Sequence, residues 1–133
     1  MNVYMFRLFT ALVLLFLAPV SYSLEVPEGA SHVTLDSHLL YLEDPSATLS
    51  IEDVMTLYRA DKMTQNTNGI LNFGFSESVF WVRAAFKFES SSSLEGRWVV
   101  SLDYAPLDVV DMYIFDGQGE QVRHIASGTS KPF

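Results

Sequence analysis

No cysteine occurs among the 133 residues, so neither a disulfide framework nor thiolate metal chemistry is open to this chain, and its stability has to come from packing. Basic side chains are scarce as well. Lysine and arginine number 8 against 16 acids; all the acids lie at or after Glu25 and one base is Arg7, so the part beyond residue 23 carries 7 − 16 = −9. Duplex binding draws most of its affinity from basic groups that neutralise phosphates, which argues against a nucleic-acid partner, and an anionic membrane surface is disfavoured for the same reason. Metal-ligand spacing is missing. His32, His38 and His124 stand at no zinc-like interval, and no HExxH or paired HxH accompanies them. Gly74-Phe75-Ser76-Glu77-Ser78 begins like a nucleophile elbow but lacks the closing glycine, and no pair of carboxylates stands out as a glycosidase acid and nucleophile. The sequence therefore assigns no catalytic residue, no metal and no cofactor.

Residues 1 to 23 have the layout of a secretion signal. Arg7 supplies one positive charge, an apolar stretch runs from Leu8 to Val20, and Ser21 and Ser23 occupy the −3 and −1 positions for a cut before Leu24. The apolar core is nearer to 13 residues than to the about 20 that a spanning helix needs. The expected organisation is a signal peptide over 1–23 and one exported domain over 24–133, which places the mature chain in the periplasm.

In that domain aromatic residues, 14% of the whole sequence, join Val, Leu and Ile to supply the apolar area of a packed core. Residues 24 to 29 read as a short linker. Val33, Leu35, Leu39, Leu40 and Tyr41 suggest one or two short strands that end at Glu43-Asp44-Pro45. Ser50 precedes Ile51, Val54 and Leu57 at helical spacing, with Glu52 and Asp53 in the first turn, which predicts one short surface helix over about 51 to 59. Val79 to Phe88 alternates strictly: Phe80, Val82, Ala84, Phe86 and Phe88 face one way, and Val79, Trp81, Arg83, Ala85 and Lys87 the other. Further strands are expected over Arg97–Asp103, over Val109–Phe115 with a hairpin turn at Asp116–Glu120, and around Val122–Ile125. The oxygens of that turn alternate as in a weak calcium loop, although a plain Asp-Gly hairpin is the simpler reading. Many short strands joined by turns predict an all-β fold, an antiparallel β-sandwich or jelly roll with one short helix.

An ordered series of motifs carries a resemblance. Tyr41-Leu42-Glu43-Asp44 is followed by Leu49-Ser50-Ile51-Glu52-Asp53-Val54, then by Leu71-Asn72-Phe73-Gly74-Phe75-Ser76 and Phe80-Trp81-Val82-Arg83. Ala105-Pro106-Leu107-Asp108, Met112-Tyr113-Ile114, and Gly128 with Lys131-Pro132-Phe133 complete it. The chain resembles the second extracellular module of bacterial 7TM receptors with diverse intracellular signalling modules. That resemblance implies a jelly roll similar to carbohydrate-binding modules, held outside the cytoplasmic membrane. Family members join it to a seven-helix membrane unit and a histidine kinase or diguanylate cyclase output, parts that this sequence lacks. It implies a sugar or another small polar molecule as ligand. The sequence stops where the family continues for several strands, so the expectation is a module incomplete at its C-terminal end. A different outcome is an interaction protein whose unfinished sheet is completed by a partner's strand, or a receptor fragment without function.

Sugar recognition needs an aromatic face for the ring's C–H groups and planar charged groups for vicinal hydroxyls. Trp81 and Arg83, two apart on one strand face, could supply both; the competing reading puts Trp81 in a second core and Arg83 in a rim ion pair. Asp103, Tyr104 and Asp108 sit at a strand end and bend where a pocket could open, against the usual fate of charged turn residues as plain solvated groups. Asn72, Gly74 and Ser76 form a candidate binding loop, against a structural turn in which Phe73 and Phe75 pack beneath the sheet.

Overall fold

The computed structural model describes residues 23–89, 98–102 and 107–130. Residues 1–22, most of the segment expected to be a signal peptide, lie outside them. Two compact units divide the chain, residues 1–96 and 97–133.

In the first unit the elements run β1 (Ser23–Val26), a 3-10 turn (Asp36–His38), β2 (Leu40–Asp44), α1 (Ile51–Arg59), β3 (Thr64–Gln65), β4 (Val79–Arg83) and β5 (Ala85–Phe88). β2 is the centre of a three-stranded antiparallel sheet with β3 on one edge and β4 on the other. The second unit contains the antiparallel hairpin of β6 (Val110–Phe115) and β7 (Gln121–Ser127). The all-β class with one short helix holds.

α1 starts where its cap dictates. The Ser50 side chain accepts the Asp53 N–H (3.2 Å), and the Asp53 carboxylate accepts the Ser50 N–H (3.0 Å), a reciprocal capping box that satisfies two otherwise orphaned donors. Those bonds from Ser50 hold the Asp53 carboxyl below the usual carboxylate range. Val54 is the helix's buried residue. The described apolar core is small: Val26, Leu40 and Val54 are buried, together with the polar Asp44 and Asn66.

Both buried polar groups are satisfied. Asp44 Oδ1 accepts from the Ser46 hydroxyl (2.6 Å) and amide (3.1 Å), and Oδ2 accepts from the Leu49 amide (2.9 Å). The Ser46 hydroxyl is the main cause that holds its carboxyl low, followed by the Leu49 amide. One carboxylate thus organises the whole β2–α1 connection. Asn66 Nδ2 donates to the carbonyls of Asp36 (2.7 Å) and Gly69, and its Oδ1 accepts the Asn68 amide. It ties the 3-10 turn to the loop after β3.

Three expectations need correction. The segment read as a linker from residue 24 contains β1, which pairs in parallel with β5, Leu24 against Phe86 and Val26 against Phe88; Val26 is the most buried large side chain among the described residues. Four residues are too few to show a period, and the partner lies some sixty positions away in the sequence. The continuous strand over Val79–Phe88 is interrupted at Ala84, with β4 bound to β2 and β5 bound to β1. Alternation sets which way side chains point but does not name the neighbouring strand. Of the strand expected over Arg97–Asp103, residues 98–102 carry no strand assignment, and Val99 is 85% exposed. Its ends, 97 and 103, lie outside the described residues, as do the Ser90–Ser93 loop and Lys131–Phe133.

Candidate functional site

Pairing register decides which side chains share the β2–β4 surface. Leu40 stands opposite Arg83, Leu42 opposite Trp81, and Asp44 opposite Val79. Directly opposed residues of an antiparallel pair project to the same side, so Leu40, Leu42, Asp44, Trp81 and Arg83 form one face. Trp81 and Arg83 are therefore brought together as the strand period required. Both are half-buried.

Among the described residues Arg83 does not form the rim ion pair of the competing reading. Its guanidinium carbon lies 3.8 Å from the centroid of the Tyr58 ring, in the last turn of α1. A guanidinium over an aromatic face is attracted by the ring quadrupole and keeps its in-plane N–H donors directed outward. Tyr58 was not singled out from the sequence. Its signal was present, because positions 51, 54 and 58 fall on one side of a helix and Val54 is the buried one.

The other face of β2–β4 carries Tyr41, Glu43, Phe80 and Val82. Phe73 reaches in from the 72–76 loop and stacks on Phe80, with centroids 3.9 Å apart and planes 7° apart. It also meets Tyr41 at 5.3 Å. The candidate loop is built by its own polar residues. Asn72 Oδ1 accepts the Gly74 N–H at 2.9 Å, Gly74 takes φ +64°, and Ser76 Oγ accepts the Ser78 N–H at 3.1 Å. Ser78 Oγ then donates to Glu43 Oε1 at 2.7 Å, fastening the loop to β2. Of the two phenylalanines expected to pack beneath the sheet, Phe73 does so and Phe75 is fully exposed.

In the second unit, Asp108 is engaged at the open end of the hairpin. Its carboxylate accepts from Thr129 Oγ1 (2.9 Å), and its carbonyl accepts from the Ser130 amide (3.1 Å) and hydroxyl (2.5 Å). Gly128, at φ +123°, makes this approach possible, because a Cβ there would lie 2.9 Å from the Val109 Cα. Asp103 and Tyr104 lie outside the described residues. At the turn, Asp116 Oδ1 accepts the amides of Gln118 and Glu120, both at 2.9 Å, which is hairpin chemistry. Along the hairpin His124 Nε2 lies 2.8 Å from Asp111 Oδ1, and its ring stacks on Tyr113 at 4.4 Å. Among the described residues no group of three His, Cys, Asp or Glu side chains could hold a metal ion, and no helix is long and apolar enough to cross a membrane.

The candidate site is thus the β2–β4 face with Trp81 and Arg83, where the Arg83 guanidinium lies over the helical Tyr58 ring. The family model described as 7TMR-DISM extracellular 2 matches residues 36–133. No curated protein matches the chain.

Proposed function

The chain belongs to the 7TMR-DISM extracellular 2 family, and on that premise we propose that it is the ligand-sensing module of a bacterial receptor, exported to the periplasm by residues 1–23. The family is a receptor-sensing domain, which does no chemistry of its own. The ligand is a sugar or another small polar molecule, held on the β2–β4 face by Trp81 and Arg83. Asp103, Tyr104 and Asp108, with the loop residues Asn72, Gly74 and Ser76, are secondary candidates.

The family match carries this reading, and the neighbouring aromatic and guanidinium groups support the choice of face. Signalling follows from differential affinity. A ligand that binds one arrangement of the module and its seven-helix membrane partner more tightly than another shifts their populations, and one with equal affinity for both shifts nothing. Thermal-shift screening of the exported chain against mono- and disaccharides, amino acids and small organic acids tests it. At least one compound should raise the midpoint, and Trp81→Ala with Arg83→Ala should abolish that rise while leaving the far-UV spectrum unchanged. A rise that survives both substitutions puts the site elsewhere.

A further inference from the structure

Among the described residues Arg83 is a cation without an ion-pair partner, in an acidic protein. Beyond residue 23 the charge is 7 − 16 = −9, so a guanidinium at the surface has many carboxylates to choose from. Among the described residues none pairs with it: the ion pairs there are Lys87–Glu25 and His124–Asp111. The acid that β2 contributes to the same face is Asp44, which stands opposite Val79 at the far end of the ladder, four positions from the Arg83–Leu40 pair. At about 3.3 Å per residue that is roughly 13 Å away. Its carboxylate is already committed to Ser46 and Leu49.

What does hold Arg83 is Tyr58, from below. The guanidinium carbon lies 3.8 Å from the centroid of the Tyr58 ring, a contact that consumes none of its five N–H donors. Arginine in this state presents a rigid pair of parallel N–H groups whose spacing matches the two oxygens of a carboxylate. Neutral sugar hydroxyls can use one or two of these donors, but they leave the charge uncompensated. A ligand carrying its own carboxylate satisfies fork and charge together. Trp81, half-buried and two positions along the same strand face, is the aromatic side chain towards which the remainder of such a ligand would lie.

We propose that the ligand of this face is an acidic sugar, a hexuronate whose carboxylate is received edge-on by Arg83 and whose ring lies towards Trp81. This rests on the sensing role proposed above and narrows it to a chemical class. The net charge of −9 beyond residue 23 disfavours anions in general, so an anion that also offers a ring to stack is selected over charge alone.

Calorimetric titration of the exported chain with D-galacturonate, D-glucuronate, D-galactose, D-glucose and acetate separates the possibilities. At least one uronate should bind at least tenfold more tightly than its neutral parent and than acetate. Arg83→Lys keeps the charge but loses the fork, and should cost about tenfold with the uronate and little with a neutral sugar. Tyr58→Leu keeps an apolar support but releases the plane, and should weaken the uronate several-fold. Circular dichroism and the thermal midpoint of each variant establish that it is folded. Equal binding of a uronate and its neutral parent, or uronate binding indifferent to Arg83→Lys, overturns the carboxylate inference while leaving the sensing role standing. Binding of neutral sugars alone, abolished by Trp81→Ala, does the same. Failure of both uronates to bind overturns the inference outright; the sensing role falls only if the wider screen also finds no ligand.

Discussion

Replacing Asn66 by aspartate changes one NH2 group into an oxygen with almost no change of volume, and it probes the buried polar junction of the first unit. Asn66 is 4% exposed. Its Nδ2 donates to two carbonyls, those of Asp36 and Gly69, while Oδ1 accepts the Asn68 amide at 3.2 Å. The Asn66→Asp side chain would keep the acceptor and lose both donors, at about 1 kcal/mol net for each bond. The facing carbonyls oppose a negative charge as well, so the loss at neutral pH should be about 2–3 kcal/mol, or a fall of roughly 10–20 °C in the midpoint of a domain of this size. The opposition also raises the folded-state pKa of the new acid above its unfolded value. Stability relative to wild type is then greatest below the unfolded pKa, where the protonated acid donates one of the lost bonds, and falls as pH rises through the folded pKa. Thermal unfolding of both proteins, followed by circular dichroism from about pH 4 to 8, reads this difference directly. A deficit below about 3 °C at neutral pH, or one that shrinks as pH rises, would refute the role given to Asn66.

Ser50→Ala removes half of the capping box and should cost about 1 kcal/mol in chemical denaturation; no loss would mean that α1 is held by packing alone. The carboxyls of Glu25, Asp44 and Asp53 are all held low by their hydrogen-bond partners, so their contribution is present above the unfolded carboxylate range and disappears as pH falls through the lower folded values. Stability should therefore be flat near neutrality and drop below about pH 4, and rising stability on acidification would contradict these bonds. Gly128→Ala places a Cβ against the Asp108 and Val109 backbone at a φ that L residues avoid, costing about 2 kcal/mol or more. Amide exchange in β7 should accelerate, and unchanged protection there would rule out the close approach.

Local chemistry was the legible part of this fold. Ser50 ahead of Ile51, Val54 and Leu57 at helical spacing announced α1 over about 51 to 59, and Asp116-Gly117 announced the turn between β6 and β7. Pairing was not legible, because a period of two is silent about partners. β1 is a four-residue strand whose partner lies across the sequence, and Ala84 is where a single alternating run changes neighbours from β2 to β1. Trp81 and Arg83 were placed on one face correctly, since that follows from spacing alone. Helical spacing put Tyr58 on the side of Val54, but nothing local named Arg83, some twenty-five positions later, as its neighbour.

The sequence has two tryptophans, Trp81 and Trp98, so Trp98→Phe leaves Trp81 as the sole tryptophan emitter, on the proposed binding face. Titrating that variant with the compounds that raise the thermal midpoint should give a saturable change in its fluorescence, with the midpoint of the titration equal to the calorimetric dissociation constant. Ligand binding by calorimetry without any change at Trp81 would contradict the placement of a sensing surface on β2–β4.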